Sequence, residues 1–457
     1  MEYNSLALAI EQQRKFFASG ATLPWSARRD CLLDLRQSIL RHVDDIAEAL
    51  KTDLHKSPFE SYSTETGMVL TEIRTLLRVG RRMSRPKRIR RSAATFNGRS
   101  VLQRQPYGQT LIFAPFNYPF HLAVLPLVGA IAAGNVVTLK FSPLTPATND
   151  VTRRILKALP KGWVVTCDGD AEQGGWLLER RWNHIFVTGS PRLGHIAMAA
   201  AAKYLTPVTL ELGGKSPCVV DADANLEVAA RRIVFGKLTN AGQTCIAPDY
   251  LLVHNEVKTA LVEAIARQIA SMYGNDPRQG QMPCMVTSQA VQRLANAVAE
   301  GHVLLGGNYD AATRYMEPTL VEDLPEDNLL MTDEIFGPVL PVVTFDRLEK
   351  AIEYINAGEK PLALYYFTSD RRKAKQMLTH TSSGGACIND TLMHIVNGRM
   401  PFGGVENSGM GHYHGRYSFD CFSHQRAVQI SSQRLDLRFK YPPYSDGALR
   451  LLRRFLR

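Results

Sequence analysis

Three side chains in this sequence have the types that acyl transfer needs, and each stands in a segment that could present it. Cys245 closes GQTC (242–245) and precedes Ile246-Ala247-Pro248. Small and polar neighbours suit an accessible thiolate, the form of cysteine that attacks a carbonyl carbon well. A single cysteine is more commonly a buried structural thiol, and this segment taken alone favours that reading. Glu211 ends an apolar run in LELGGKSP, just before Gly213-Gly214. α/β folds place their sites at the carboxyl ends of strands, and a Glu beside a cysteine-bound acyl group is the obvious base for a hydrolytic water. A helix-capping or surface carboxylate is the plainer alternative. Asn117, in APFNYPF, could donate its amide N–H to a developing oxyanion. An ordinary turn asparagine ahead of a helix fits the same pattern.

Two more segments point toward a nucleotide. Lys140 ends VVTLK, where an ammonium could meet a ribose or a phosphate, although a lysine at a strand end is usually just solvated. TGSPRLG (188–194) reads as strand, turn and helix, so the amides of Gly189 and Ser190 could approach a pyrophosphate. It lacks the GxGxxG spacing and is a weak signal by itself. The seven cysteines (31, 167, 218, 245, 284, 387 and 421) form no CxxC pair and have no histidine partner spacing. No metal site and no disulfide framework is expected, and reduced thiols in a cytoplasmic compartment fit best.

The elements that must carry these residues follow an alternating pattern. Residues 5–80 are predicted helical, with apolar residues at helical spacing through Leu32, Leu35 and Ile39 and again through Val69, Ile73, Leu76 and Leu77. Strands are predicted at 100–104, 109–114, 136–140, 163–167, 184–188 and 207–211. Helices are predicted between them at 122–133, 147–159, 173–179 and 194–203. Short strands separated by ten-residue helical stretches imply βαβ units and a parallel sheet. Beyond Gly213-Gly214, helices at 226–237, 257–272, 288–300, 348–357 and 371–380 and strands at 251–253, 302–305 and 362–367 make a second α/β unit.

Composition bounds these readings. At 457 residues, two or three structural units are expected rather than one core. A hydrophobic share of 45% with 21% charged residues excludes a disordered chain. The net charge of +11 invites a nucleic-acid partner, but its placement argues otherwise. Residues 81–91 hold seven basic side chains and no acid, and 434–457 hold seven basic and two acidic ones. These two patches account for the whole excess, so the body of the chain is nearly neutral and no nucleic-acid footprint is expected. The amphipathic start of the sequence is unlike a signal peptide. The apolar stretch 122–133, interrupted by Pro126 and Gly129, is too short to cross a bilayer.

Taken together, FNYP, the Leu139-Lys140 strand end, VTGS, TLELGGKSP, GQTC, EIFGPVLPV (334–342) and MPFGGVENSGMG (400–411) resemble the aldehyde dehydrogenase superfamily. Order and spacing match from about residue 5 to 445. EKPLALYYF, TSSGGACIND and KYPP look like its class 3 branch, which includes fatty, aromatic and coniferyl aldehyde dehydrogenases. The resemblance implies an α/β fold of three parts. These are a Rossmann-type NAD(P)-binding domain (1–83 and 106–211), an α/β catalytic domain (212–397) and a β-arm for oligomerisation (84–105 and 418–445), followed by a basic tail (446–457). It implies that Cys245 is the nucleophile, Glu211 the general base, and Asn117 with the Cys245 backbone N–H the oxyanion hole. It places Lys140 at the adenosine ribose, Glu334 at the nicotinamide ribose, Phe336 near the nicotinamide and Gly189-Ser190 by the pyrophosphate. The implied product is a carboxylic acid, the cofactor NAD or NADP, and the assembly a homodimer.

Two departures qualify the cofactor. Pro143 stands where many members carry a Glu that binds the adenosine ribose, and the missing carboxylate removes repulsion against a 2′-phosphate, so NADP is expected to be tolerated. Phe116 replaces a frequent Trp. Two other functions compete with acid release: a CoA-acylating dehydrogenase, against which Glu211 weighs, and a catalytically silent relative. The last nine residues, LRLLRRFLR, gather Leu449, Leu451, Leu452, Phe455 and Leu456 on one helical side and four arginines on the other. Such a helix could lie on an anionic membrane. Docking on a partner subunit, or covering the substrate funnel, fits equally well.

Overall fold

The computed structural model describes residues 3–455 apart from 92–94, 96, 275, 279–280, 435 and 437–439. Gly409–Met410, Val208–Glu211, His184–Thr188, Gln109–Phe113, Val136–Lys140 and Val164–Cys167 lie side by side in that order as one sheet. All are parallel except the two-residue edge strand. The chain starts at Gln109–Phe113 and steps to one side through the next two strands. It then crosses back, so that His184–Thr188 pairs on the other side. That reversal opens a crevice beyond the strands' carboxyl ends, the place where open α/β sheets bind ligands.

Helices cover the sheet on both faces. His121–Ala133 is buried at every position, which explains an apolar run with no polar stripe. Tyr3–Ala18 lies against Val164–Cys167, Val136–Lys140 and Gln109–Phe113, burying Leu6, Ile10 and Gln13, and the Gln13 amide donates to the Val137 carbonyl at 2.8 Å. Two helices begin earlier than apolar spacing predicts. Asp170 caps Ala171–Leu178 by accepting from the Gln173 N–H, and Ser190 caps Pro191–Ala202, which has proline in its first turn. These polar first turns carry the cap rather than the apolar stripe, so periodicity misses them.

A seven-stranded sheet follows, in the order His302–Leu305, Thr319–Glu322, Val339–Phe345, Tyr250–His254, Pro217–Val220, Ala363–Phe367 and Gly385–Ile388. Only its first pair is antiparallel. Four of its strands, those at 217, 319, 339 and 385, are not anticipated above. Pro217–Val220 is buried throughout and most of Val339–Phe345 is, so each shows a short apolar run instead of alternation, and each contains a proline. One apolar core joins the two sheets, containing Ile112, Val137 and Leu139 of the first and Leu251, Val253 and Val339 of the second.

The third sheet is built from distant parts of the chain. Gly98–Pro106 pairs with Lys87–Ile89 on one side and, over nine residues, with Ser423–Ser431 on the other. Both outer strands are largely exposed. Asp446–Phe455 forms a final helix.

Candidate active site

A cavity of about 430 Å³ opens at the crevice of the first sheet. Asn117, Lys140, Gly189, Ser190, Glu211, Cys245, Glu334 and Phe336 all line it, so the eight residues singled out from the sequence meet in one place. Lys140 and Glu211 are the last residues of their strands, and Asn117 and Gly189-Ser190 follow theirs. Cys245 comes from the turn after helix Leu226–Leu238, and Glu334 and Phe336 from the segment leading into Val339–Phe345.

The cysteine turn is held in an unusual conformation. Asn240, Ala241 and Gly242 have φ of 55°, 51° and 74°, the left-handed region that side chains other than glycine resist. At Gly242 a Cβ would stand 2.3 Å from the Gly337 carbonyl oxygen, so only glycine fits. Side-chain bonds compensate the strain. Asn240 Nδ2 donates to the carbonyls of Asn117 (2.8 Å) and Gln243 (3.0 Å). The Asn240 N–H donates to Glu60 Oε1 at 2.8 Å. Gln243 Nε2 donates to the carbonyls of Asn240 and Cys284, and its Oε1 accepts from the Val286 N–H at 2.8 Å. Gln243 thus ties the turn to the 284–286 segment, a role its place in GQTC did not reveal. Cys245 is partly exposed. Burial, then the carboxylates of Glu334 and Glu211, push its thiol up, while its own N–H and that of Ile246 favour the thiolate.

Asn117 is oriented from two sides. Its Nδ2 donates to the Gln243 carbonyl at 3.0 Å, and an amide carries two N–H donors, so one remains for the cavity. Its own carbonyl accepts from Lys56 Nζ at 3.0 Å. Lys56 and Glu65 form an ion pair at 2.6 Å in which neither side chain touches solvent. Glu65 Oε2 accepts from the N–H groups of Phe120 and His121 at 2.9 and 3.0 Å, at the start of helix His121–Ala133. A carboxylate there also meets the positive end of the helix dipole. Sequence patterning gave no sign of this pair, because Lys56 sits in a short loop and Glu65 in a helical turn, where charged side chains are ordinarily solvated.

Glu211 is buried, and neither carboxylate oxygen has a hydrogen-bond partner. Burial raises its pKa well above the usual carboxylate range. Its backbone carbonyl accepts from the Gly189 N–H at 3.0 Å. Gly189 thus lines the cavity with its amide bonded to the neighbouring strand. The Ser190 side chain is likewise engaged, capping the helix through the Leu193 N–H.

Burial lowers the Lys140 ammonium pKa. Phe336 has φ of 54° and meets Phe116 edge-on at 5.7 Å. Lys215 Nζ donates to Asp249 (2.6 Å) and to the carbonyls of Leu330 (2.8 Å) and Asp333 (3.0 Å), and Asp249 accepts from the Ile335 N–H. These bonds fix Glu334. A Cβ on Gly213 would fall 1.9 Å from Glu334 Oε2, so that glycine is required for the carboxylate to lie there. Burial and nearby Asp249 raise the Glu334 carboxyl to about 8, against bonding from the Gly214 backbone and the pull of Lys215 and Lys237. Among the described residues, His302, Glu322 and Asp323 cluster closely enough to hold a cation, but none of them lines this cavity.

Two outcomes follow. Lys56→Ala leaves the Glu65 charge buried and unpaired, and should lower unfolding free energy by about 3–5 kcal/mol in denaturant titration. Glu334 has a raised pKa in the folded chain, so its contribution to stability is present below its ordinary value of 4.5 and is lost as pH rises toward about 8. Glu334→Gln should therefore gain thermal stability relative to the parent as pH climbs through that window; a constant difference across it would contradict the assignment.

Known proteins resemble this chain over nearly its whole length. A sequence model of the aldehyde dehydrogenase family matches residues 2–428. Aldehyde dehydrogenase family 3 member B1 of Homo sapiens is 42% identical, covering 97% of this chain and 96% of that protein. The 4,4'-diaponeurosporen-aldehyde dehydrogenase of Staphylococcus aureus is 40% identical, covering 98% of this chain and 99% of its own. A solved substrate-bound state of Staphylococcus aureus AldH superposes with a TM-score of 0.97 at 39% identity, covering all of both chains. The chain belongs to the aldehyde dehydrogenase family.

Proposed function

We propose that this protein oxidises an aldehyde to the carboxylic acid with NAD or NADP, through a covalent intermediate on Cys245. The observation that carries the reading is the convergence of Cys245, Glu211 and Asn117, from three separate elements, on one cavity. As a thiolate, Cys245 attacks the aldehyde carbon. The remaining Asn117 N–H and the Cys245 backbone N–H donate to the resulting oxyanion. When bound, the dinucleotide supplies the hydride acceptor that turns the thiohemiacetal into a thioester. Glu211 then takes a proton from water, whose oxygen attacks the thioester carbonyl, and the C–S electron pair returns to sulfur. A carboxylate with no hydrogen-bond partner, its proton affinity raised by burial, suits that base.

The residues present fit a dinucleotide. The cavity lies at the strand reversal, Lys140 and Glu334 both line it, and Gly213 leaves room for the Glu334 carboxylate. Ser142 and Pro143 line the stretch beyond Lys140, so no carboxylate there opposes a 2′-phosphate and NADP is accepted alongside NAD.

Cys245→Ala should abolish aldehyde-dependent reduction of NAD(P), read by absorbance with octanal and benzaldehyde. Glu211→Gln should lose steady-state turnover, and added CoA should not accelerate the parent. Undiminished turnover in Cys245→Ala removes the nucleophile, and a CoA requirement transfers the reaction to acyl-CoA formation.

The likeness to the staphylococcal 4,4'-diaponeurosporen-aldehyde dehydrogenase supports a lipophilic aldehyde as substrate, and the tail supports access to one. Among the described residues no helix is long and apolar enough to cross a membrane. Asp446–Phe455 instead exposes Leu449, Leu451 and Leu452 together with Arg450, Arg453 and Arg454. Apolar insertion with arginines at headgroup level suits an anionic bilayer surface. The three-stranded sheet, with two open edges and exposed faces, is the surface for pairing two copies into a dimer. Full-length protein should co-sediment with vesicles containing phosphatidylserine and a 1–446 truncation should not; equal binding by both ends the membrane assignment.

A further inference from the structure

Cys245 sits at a corner of a tight turn whose two flanks are each held by a buried tyrosine. The Ala247 N–H donates to the Thr244 carbonyl at 2.9 Å, which closes a four-residue turn with Cys245 and Ile246 at its corners. Ahead of the nucleophile, Thr244 Oγ1 and Tyr118 Oη share a hydrogen bond of 2.6 Å. Behind it, Tyr365 Oη donates to the Ile246 carbonyl. Thr244 and Ile246 are buried, and so are both tyrosines. None of these four residues lines the cofactor cavity.

The two tyrosines come from different sheets. Tyr118 follows strand Gln109–Phe113 of the first sheet and is the next residue after Asn117. Lys56 Nζ stands 4.1 Å from the centre of its ring, and His121 meets the ring edge-on at 6.3 Å. Tyr365 is the middle residue of Ala363–Phe367 in the second sheet, paired in register with Cys218 on one side and Cys387 on the other. Tyrosine has only two side-chain torsions, so a ring packed in this way holds its oxygen at a fixed point.

Attack at this turn has a narrow geometric tolerance. The sulfur must approach the aldehyde carbon while the Cys245 N–H and Asn117 Nδ2 converge on the aldehyde oxygen. A misplacement of about 1 Å in such an arrangement costs on the order of a hundredfold in rate. The Cys245 N–H belongs to the planar peptide that joins it to Thr244, so tilting that peptide moves the donor relative to the sulfur. The bonds of Asn240 and Gln243 brace the chain up to residue 243. Those of the tyrosines act on the two residues that flank the sulfur.

We propose that Tyr118 and Tyr365 are positioning residues, a clamp reaching from the two sheets to Thr244 and Ile246 that keeps the Cys245 sulfur in register with the oxyanion donors. Neither phenol gives up or takes a proton in the reaction. The first arm shares its footing with one of those donors. Tyr118 adjoins Asn117 in the chain, and Lys56 serves both, through the ring of one and the carbonyl of the other. A shift of that segment therefore carries Asn117 and Thr244 together and preserves their relation. This inference rests on Cys245 acting as the nucleophile.

Full-length Tyr118→Phe, Thr244→Val, their double variant and Tyr365→Phe test it, with two rates read on each. The single-turnover rate of cofactor reduction by octanal reports sulfur and oxyanion donors together. Alkylation of Cys245 by iodoacetamide, followed by peptide mass spectrometry, reports the thiol alone. Each variant should lose about tenfold in the first rate and keep the parent's value of the second. The double variant should be no slower than the slower of its singles, because both remove the same hydrogen bond. Thr244→Ser, which keeps the hydroxyl, should recover what Thr244→Val loses. Parental reduction rates overturn the clamp, as do multiplied losses in the double variant. An equal loss of reduction and alkylation also overturns it, since that marks a change in the thiol or in general packing. An unfolding midpoint near the parent's qualifies each variant, and if a tyrosine variant is unstable the two Thr244 variants decide. Cys245→Ala separates the readings: turnover retained there refutes the nucleophile, whereas its inactivity beside fully active tyrosine variants refutes the clamp alone.

Discussion

The Lys56–Glu65 ion pair is the contact on which the site depends. Removing two charges from water costs several kcal/mol for each ion, and such pairs survive only where bonds satisfy every remaining donor and acceptor. Here the ammonium also serves the Asn117 carbonyl, and the carboxylate also receives the first two amides of a buried helix. The pair therefore works as a locating pin. From Asn117 its influence passes to Asn240, and from Asn240 to Gln243 and the cysteine turn. An oxyanion donor and a nucleophile from different parts of the chain are registered against each other by one interaction between an N-terminal loop and the helical turn that follows it.

Desolvation governs the chemistry of the same region. Burial pushes Cys245, Glu211 and Glu334 toward their protonated forms and Lys140 toward its neutral one. Lys237, at the end of the helix that leads into the cysteine turn, is buried with an unpartnered ammonium nitrogen and is pushed down to about 8. The resting site thus holds less charge than its residue types suggest. Each charge the reaction needs arises when a proton moves, so control of protons and control of rate become one problem.

The sequence displayed the chemistry more clearly than its supports. Every proposed site residue lies at a strand end or tight turn, where Gly-Gly, proline and small polar residues interrupt an apolar run, and those interruptions are visible in one dimension. The parallel strands of the first sheet were equally visible, being spaced by helical stretches of about ten residues. The strands at 217 and 339 were not, since full burial erases alternation. Lys56, Glu65 and Gln243 were invisible for another reason: their partners lie beyond helical spacing or are backbone groups, and no local pattern encodes such a contact. Gly189 shows the converse limit: its motif is visible, but the bond from its amide to the Glu211 carbonyl is not.

The two-residue strand Gly409–Met410 has a consequence for how the chain is made. It closes the edge of the sheet at Glu211, while Ser423–Ser431 completes the third sheet against Gly98–Pro106. During synthesis from the N-terminus, the sheet bearing the base keeps an open edge until residue 410 has left the ribosome. Its partner in the third sheet waits longer still. Contacts of such separation form slowly, and an unpaired edge invites association with other chains in the interval. The last tenth of the sequence thus acts as a closing clasp, and a nascent chain lacking it is the species most exposed to aggregation and to chaperone capture.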